Sequence, residues 1–439
     1  MPGTQPPSLE SDTPRNNFLA PWAHDRQAER MKSTGFLALN APFLGAGVLM
    51  TFASSFGQTF FISIFAGEIR QAFDLSHGQW GGIYALGTTM SAIVMVWAGG
   101  LTDTYRVRVL GPGVLLGLAA ACLAMAVNPF VWALPAIIFA LRFFGQGMSS
   151  HIAVVAMARW FVATRGRALS IASLGFAFGE ATLPFLFVSL MTIVDWRVLW
   201  IVGVLLCLAG VPVLARLLGK ERIPGSHSQS ESSLGMRGQH WDRGQVLRSP
   251  LFWVMVPAIL GPAAFNTSFF FHQVAFAETK GWSHVDLVAF FPLYTLMAIG
   301  AMMVSGWALD RFGTARLMPL YQLPMAVSFL IFAIATGPGT MFWGFLFLAL
   351  TTGANSTLPN AFWAEFYGTT HIGSIKALAA AVMVLGSAIG PGLTGWLLDR
   401  SFGLEQQFVA IAAYFAFVTA VMVFGIRKAA QSLPQDAFR

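Results

Sequence analysis

With 56% hydrophobic and only 10% charged residues over 439 positions, the chain lies far from a soluble domain, in which about 25% of residues are charged. The eight His and two Cys show no metal-ligand spacing, no disulfide framework and no nucleophile beside a base, so neither a metal, a cofactor nor membrane-enzyme chemistry is expected. The formal charge of +7 is explained by its location along the chain, without a nucleic-acid partner.

Residues 1–41 carry Pro2, Pro6, Pro7, Ser8, Ser11 and Pro14 and no apolar core, which reads as a disordered cytoplasmic tail and not as a cleaved signal peptide. Twelve apolar stretches follow, near residues 43–66, 80–101, 108–127, 130–155, 168–193, 198–218, 252–276, 286–309, 315–336, 340–364, 374–398 and 407–427. Each is close to the roughly 20 residues that span a bilayer as a helix, and none shows the ten-residue alternation of a barrel strand. The predicted class is an all-α membrane protein with twelve transmembrane helices in two six-helix bundles, 42–218 and 251–428. Between the bundles, residues 219–250 form a polar, Ser-rich cytoplasmic central loop, and 429–439 a cytoplasmic C-terminal tail.

Of the 26 Lys and Arg, only Arg70, Arg197, Lys280 and Arg400 fall on the face opposite the termini, and Arg142 falls inside a stretch. The other 21 lie on the side of the termini, a positive-inside bias that predicts both termini in the cytoplasm. Cys122 and Cys207 stand alone in apolar stretches and are expected as small buried hydrophobes. Pro135, Pro184, Pro262, Pro292, Pro324, Pro359 and Pro391 are expected to kink their helices.

The chain repeats itself at nearly half its length. Gly99 and Asp103, followed by Arg106 and Arg108, match Gly306, Asp310, Arg311, Gly313 and Arg316, with the aspartates 207 residues apart. Leu174, Gly175 and Gly179 match Leu385, Gly386 and Gly390 at an offset of 211. Two similar offsets indicate duplication, as in many transporters, and small residues four apart let helices pack closely in lipid.

The repeated Gly-x-x-x-Asp motif, the six-plus-six plan and the central loop resemble the major facilitator superfamily of secondary transporters. The resemblance implies a cytoplasmic latch that holds the outward-open state, formed by Gly99, Asp103 and Arg108 and by Gly306, Asp310 and Arg311. The first copy departs from the family pattern at Thr104 and Arg106, so the firmer latch is expected at Asp310 and Arg311. Arg142-Phe143-Phe144-Gly145-Gln146-Gly147 is similar to the family's fourth-helix motif. Arg159-Trp160-Phe161 with Arg165-Gly166-Arg167 resembles the bacterial monocarboxylate and oxalate/formate branch, which implies small carboxylates, often moved with a proton. That branch commonly places a cation within helix 8 or 11, and both interiors are uncharged here.

Two ionisable residues fall near the membrane centre, Arg142 in the fourth stretch and Glu180 in the fifth. An unpaired charge there costs at least about 2.5 kcal/mol, so each is expected to have a partner, with the other the first candidate. They read either as an anion-binding donor and a proton carrier or as a static ion pair. The resemblance places helices 1, 4, 7 and 10 around a central cavity, and the polar residues Thr51, Ser54, Gln58, Asn266, Thr267, His272, Gln273, Thr352, Asn355, Ser356 and Asn360 lie on three of them. Gln58, Asn266, His272 and Asn355 join Arg142 and Glu180 as the substrate- and proton-binding candidates, although His272 could be solvated at the outer end of its helix. His151, low in the fourth helix, is a further candidate. Phe56, Phe60, Phe269, Phe270 and Phe271 are expected to pack or to face lipid, with an aromatic-lined pocket as the alternative.

The expected function is alternating-access transport of a small organic solute, a carboxylate among the candidates, coupled to protons, by a monomer in a bacterial inner membrane. The competing readings are proton-driven efflux of amphipathic or aromatic compounds, uptake of an uncharged planar solute such as a vitamin, and a non-transporting sensor.

Overall fold

The computed structural model describes residues 21–161, 165–219 and 234–433. Among them, ten helices are long and apolar enough to cross a membrane. They are α1 (Leu37–Gly57), α2 (His77–Ala98), α3 (Val107–Val127), α4 (Val131–Met157), α5 (Arg167–Met191), α6 (Trp196–Leu217), α7 (Pro250–Phe271), α8 (His284–Phe312), α11 (Ser374–Asp399) and α12 (Leu404–Ala430). Between α8 and α11 stand the shorter apolar α9 (Leu323–Ile334) and the 30-residue α10 (Pro338–Tyr367). Helices alternate in direction, so the chain has a terminal face, where α1 begins and α12 ends, and a distal face.

The first helix begins at Pro21, so residues 21–41 of the expected tail are helical, while 1–20 lie outside the described residues. Of the central loop, 220–233 lie outside the described residues; the rest contains the short helix Arg243–Arg248, capped by Asp242 and Gln245, and the Trp241 N–H donates to the Tyr367 carbonyl. Pro135, Pro292 and Pro324 open the α-helical segments Leu134–Leu141 within α4, Phe291–Phe312 within α8 and Leu323–Ile334, each in the first turn, where no backbone donor is needed. Pro184, Pro262, Pro359 and Pro391 lie inside helices.

The two glycine pairs do equivalent work in the two halves. A Cβ at Gly175 or Gly179 of α5 would strike the Val48 carbonyl or the Ser55 hydroxyl of α1, and one at Gly386 or Gly390 of α11 would strike the Leu260 or Ala264 carbonyl of α7. Helix backbones thus touch directly, the arrangement that substitutes for a hydrophobic driving force in lipid. Cys122 and Cys207 are fully buried. Phe56, Phe60, Phe269, Phe270 and Phe271 are buried too, in edge-to-face and stacked clusters such as Phe269 on Phe332 at 4.5 Å.

Candidate functional site: a central cavity sealed on the distal face

The first helix breaks within its run of polar residues Thr51, Ser54 and Gln58, whose helical spacing suggests a continuous helix. Ser54–Gly57 tighten into a 3-10 turn, Gln58 is extended (φ −85°, ψ 153°), and helical turns resume at Thr59. Opposite the break, α4 widens into a π-helical turn over Arg142–Ser149, a distortion that is frequent at functional sites. Gly57 and Gly145 let the two irregular segments touch: a Cβ on Gly145 would lie 2.6 Å from the Gly57 Cα. The break leaves the Gly57 carbonyl free, and Arg142 takes it.

Arg142 is 2% exposed. Its Nη1 donates to the Gly57 carbonyl at 3.1 Å and to the Thr59 hydroxyl at 3.3 Å, and its guanidinium carbon lies 5.4 Å from the Tyr84 ring centre. Its Nε has no partner, and no described carboxylate pairs with it. Glu180, half-buried on α5, accepts instead from the Thr295 hydroxyl of α8 at 3.2 Å. Arg142 and Glu180 therefore do not form the ion pair that their similar depth suggests. Arg142 has only carbonyl, hydroxyl and aromatic partners and Glu180 one hydroxyl, so neither meets an opposite charge, and Glu180 faces the other half of the molecule.

Two adjoining pockets of about 330 and 480 Å³ share Gln146, Ala380, Val384 and Ser387. The larger lies against the N-terminal half and is lined by Thr88, Ser91, Met95, Arg142 and His151. The smaller lies against the C-terminal half and is lined by Asn266, Thr267, Thr351, Thr352 and Asn355. Gln146, Val154, Ala380, Met383 and Val384 are exposed, so the cavity admits solvent.

Toward the distal face the halves close. The Ser63 hydroxyl donates to the Phe270 carbonyl at 2.7 Å, and the Gln273 amide donates to Ser63 at 2.7 Å. On the other flank α2 meets α11, where a Cβ at Gly81 would lie 2.7 Å from the Pro391 carbonyl. His272 belongs to this seal. It is 4% exposed, not solvated, and its Nε2 lies 3.0 Å from the Pro391 carbonyl because the end of α7 is packed between α2 and α11.

Of the sequence candidates, Arg142, Asn266 and Asn355 reach the cavity wall. Gln58 is buried at the α1 break, and neither Gln58, Glu180 nor His272 lines either pocket. Thr51 and Ser54 turn into helix packing, donating to the Ala172 and Thr51 carbonyls. His151 lines the larger pocket with Nε2 3.2 Å from the Gly99 carbonyl. Thr88, Ser91 and Ser387 lie on α2 and α11, outside the helices that the resemblance places around the cavity. Gln146 is legible in two ways, as a member of the Arg142–Gly147 motif and by its position one helical turn beyond Arg142.

At the first motif copy the side chain of Asp103 lies outside the described residues, and Arg108 donates to the Gly219 carbonyl at 3.3 Å. At the second, Gly306 has open space around it, Asp310 is exposed without a described partner, and Arg311 lies over the Trp307 ring at 6.0 Å. The contact at that corner is instead Thr314 to Glu365.

The family model of the Major Facilitator Superfamily matches residues 47–350 and 293–438. Monocarboxylate transporter 13 of Bos taurus is 24% identical, with 92% of both chains covered. The oxalate:formate antiporter of Oxalobacter formigenes is 22% identical, covering 89% of this chain and 93% of its own. Among solved structures, a bacterial homologue of the human lysosomal transporter Spinster, inward-facing and occupied, superposes with a TM-score of 0.68 at 16% identity, covering 89% of this chain and 98% of that one. The chain belongs to the Major Facilitator Superfamily and is an integral membrane transporter of small solutes, not an enzyme.

Proposed function

We propose that the chain moves a small carboxylate together with a proton, with Arg142 as counter-charge for the substrate and Glu180 as proton carrier. The observation that carries this reading is Arg142, a buried guanidinium on the cavity wall with only neutral partners and an unpartnered Nε. Holding such a cation in the membrane without a counter-ion is costly, and a bound carboxylate supplies one. The names of two relatives, a monocarboxylate transporter and an oxalate:formate antiporter, agree with an anionic cargo. The Lys and Arg bias supports a cytoplasmic terminal face, on which reading the distally sealed cavity is inward-facing. In that state the cytoplasmic latch is expected to be disengaged, as Asp310 is.

Glu180 supports coupling because its one hydroxyl donor sits on α8, across the moving interface. The test is counterflow and pH-driven uptake of a panel of labelled acids and neutral solutes in liposomes containing the purified chain. Acids should exchange and should accumulate when the outside is acidified. Exchange of neutral or amphipathic solutes alone would replace this reading with the uncharged-solute or efflux alternative. Ligand binding without exchange would make the chain a sensor.

A further inference from the structure

The two pockets differ in chemistry more than in size. The larger contains Arg142 and, toward the end of α2, His151, whose ring nitrogen is already engaged near the Gly99 carbonyl. The smaller is lined by no Asp, Glu, Lys, Arg or His; its polar groups are the amides and hydroxyls of Gln146, Asn266, Thr267, Thr351, Thr352, Asn355 and Ser387. A second carboxylate there would lose its water without gaining a cation, which is strongly unfavourable, whereas a hydroxyl or carbonyl would find several partners. Where the two meet, the aliphatic Ala380 and Val384 stand with Gln146 and Ser387, the other residues common to both.

Size points the same way. A two- or three-carbon acid displaces roughly the volume of three waters, on the order of 100 Å³. Pockets of about 330 and 480 Å³ would stay mostly wet around it, while ligand sites commonly enclose most of their ligand.

Gln146 stands at the join. It lines both pockets, is exposed into the cavity, and its carboxamide makes no hydrogen bond to any described residue. The π-helical turn and the Gly57–Gly145 contact fix the backbone on either side of it, so the side chain is presented from a rigid base. A carboxamide offers both a donor and an acceptor.

Resting on the carboxylate reading above, we infer that the substrate is two-ended: one carboxylate at Arg142, an aliphatic middle, and an uncharged hydrogen-bonding group in the C-terminal pocket, with Gln146 as the specificity residue between them. The cargo class is hydroxy- or oxo-monocarboxylic acids of about six carbons or more, in preference to dicarboxylates and to the shortest acids.

The experiment uses the full chain in liposomes and a length-matched series: hexanoate, 6-hydroxyhexanoate and adipate, with acetate as the short acid, each competing in counterflow. Loss of a buried hydrogen bond is worth about a factor of ten, so 6-hydroxyhexanoate should compete about tenfold better than hexanoate, adipate or acetate. Gln146→Leu should bring the hydroxy-to-plain ratio toward one. Gln146→Glu, with an unchanged melting temperature as the folding control, should weaken every acid by placing a negative charge beside it. Adipate or acetate matching the hydroxy acid, or an unchanged ratio in Gln146→Leu, would overturn the inference while leaving carboxylate transport standing. Failure of every acid, with a neutral solute exchanging, would overturn both.

Discussion

Asp399, the last residue of α11, accepts hydrogen bonds from the Ser76 hydroxyl at 2.6 Å and the Gly78 N–H at 2.9 Å, joining the end of a C-terminal-half helix to the start of an N-terminal-half helix. Ser76 also closes a capping box with Gln79, so the first turn of α2 is built to meet the carboxylate, whose charge suits a helix N-terminus. The surrounding seam is glycine: Gly78 faces Asp399, Gly81 faces Pro391 and Gly395 faces His77.

This link should bias the conformational equilibrium. Asp399→Ala is expected to raise the ratio of distal-open to distal-closed molecules about twofold to fivefold, as befits an exposed charged contact. Gly81→Leu should prevent closure, because even a Cβ at that position is too near Pro391. Distances between spin labels on the ends of α2 and α11 measure both. Unchanged distance distributions in Gly81→Leu would show that the seam does not gate.

Arg142→Gln should abolish acid-dependent thermal stabilisation, and Arg142→Lys should not restore it. Arg142 reaches Gly57 and Thr59 with Nη1 alone, whereas a lysine holding both would have no second nitrogen for a ligand. A melting-temperature series against acid concentration reads the effect, since a ligand at 100 times its Kd adds about 2.7 kcal/mol. Acid-induced stabilisation retained in Arg142→Gln would place the carboxylate elsewhere.

Glu180→Gln keeps a partner for the Thr295 hydroxyl but removes the titrating group. Uphill uptake driven by a pH gradient should disappear, while exchange at equal pH persists. Accumulation at the wild-type level would take Glu180 out of the coupling mechanism.

On the distal face, Glu68 lines a cleft with Arg70, Asp74, Glu278 and His284. Burial, and then the nearby Glu278, raises its pKa above the ordinary glutamate value. A raised carboxyl pKa in the closed cleft means that this conformation binds the proton more tightly than an open one in which Glu68 is hydrated. Closure is therefore favoured as pH falls toward and below that raised pKa and weakened as pH rises through it. Glu68→Gln should flatten the pH dependence of the α2–α11 label distance, and an unaltered profile would assign it to other groups.

Much of this molecule is legible in the chain. Apolar stretches give the order of the helices and most of their bounds, because a helix in lipid satisfies its own backbone and its length is set by the bilayer, although α1 ends well before the expected 66 and α9 starts well after the expected 315. The repeated glycines announce close helix packing on α5 and α11, because only a residue without a Cβ permits it, while the partners α1 and α7 come from the structure. Arg142, Asn266 and Asn355 stand out as polar groups in apolar surroundings, and all three reach the cavity.

The pairings were a matter for the tertiary structure. Nothing local reveals that α1 breaks at Gln58, since Thr51, Ser54 and Gln58 recur at the spacing of a continuous helix; the break exists beside the π-turn of α4, and it alone creates the carbonyl that Arg142 uses. Arg142 and Glu180 lie at similar depth, which a one-dimensional reading turns into a pair. In three dimensions one faces α1 and the other faces α8, and His272 becomes part of the distal seal. Hydropathy adds up along the chain, so the sequence by itself determined the spans and the duplicated plan. A hydrogen bond depends on a few tenths of an ångström between residues far apart in the chain, so only packing decided which polar groups meet each other and which are left facing the cavity.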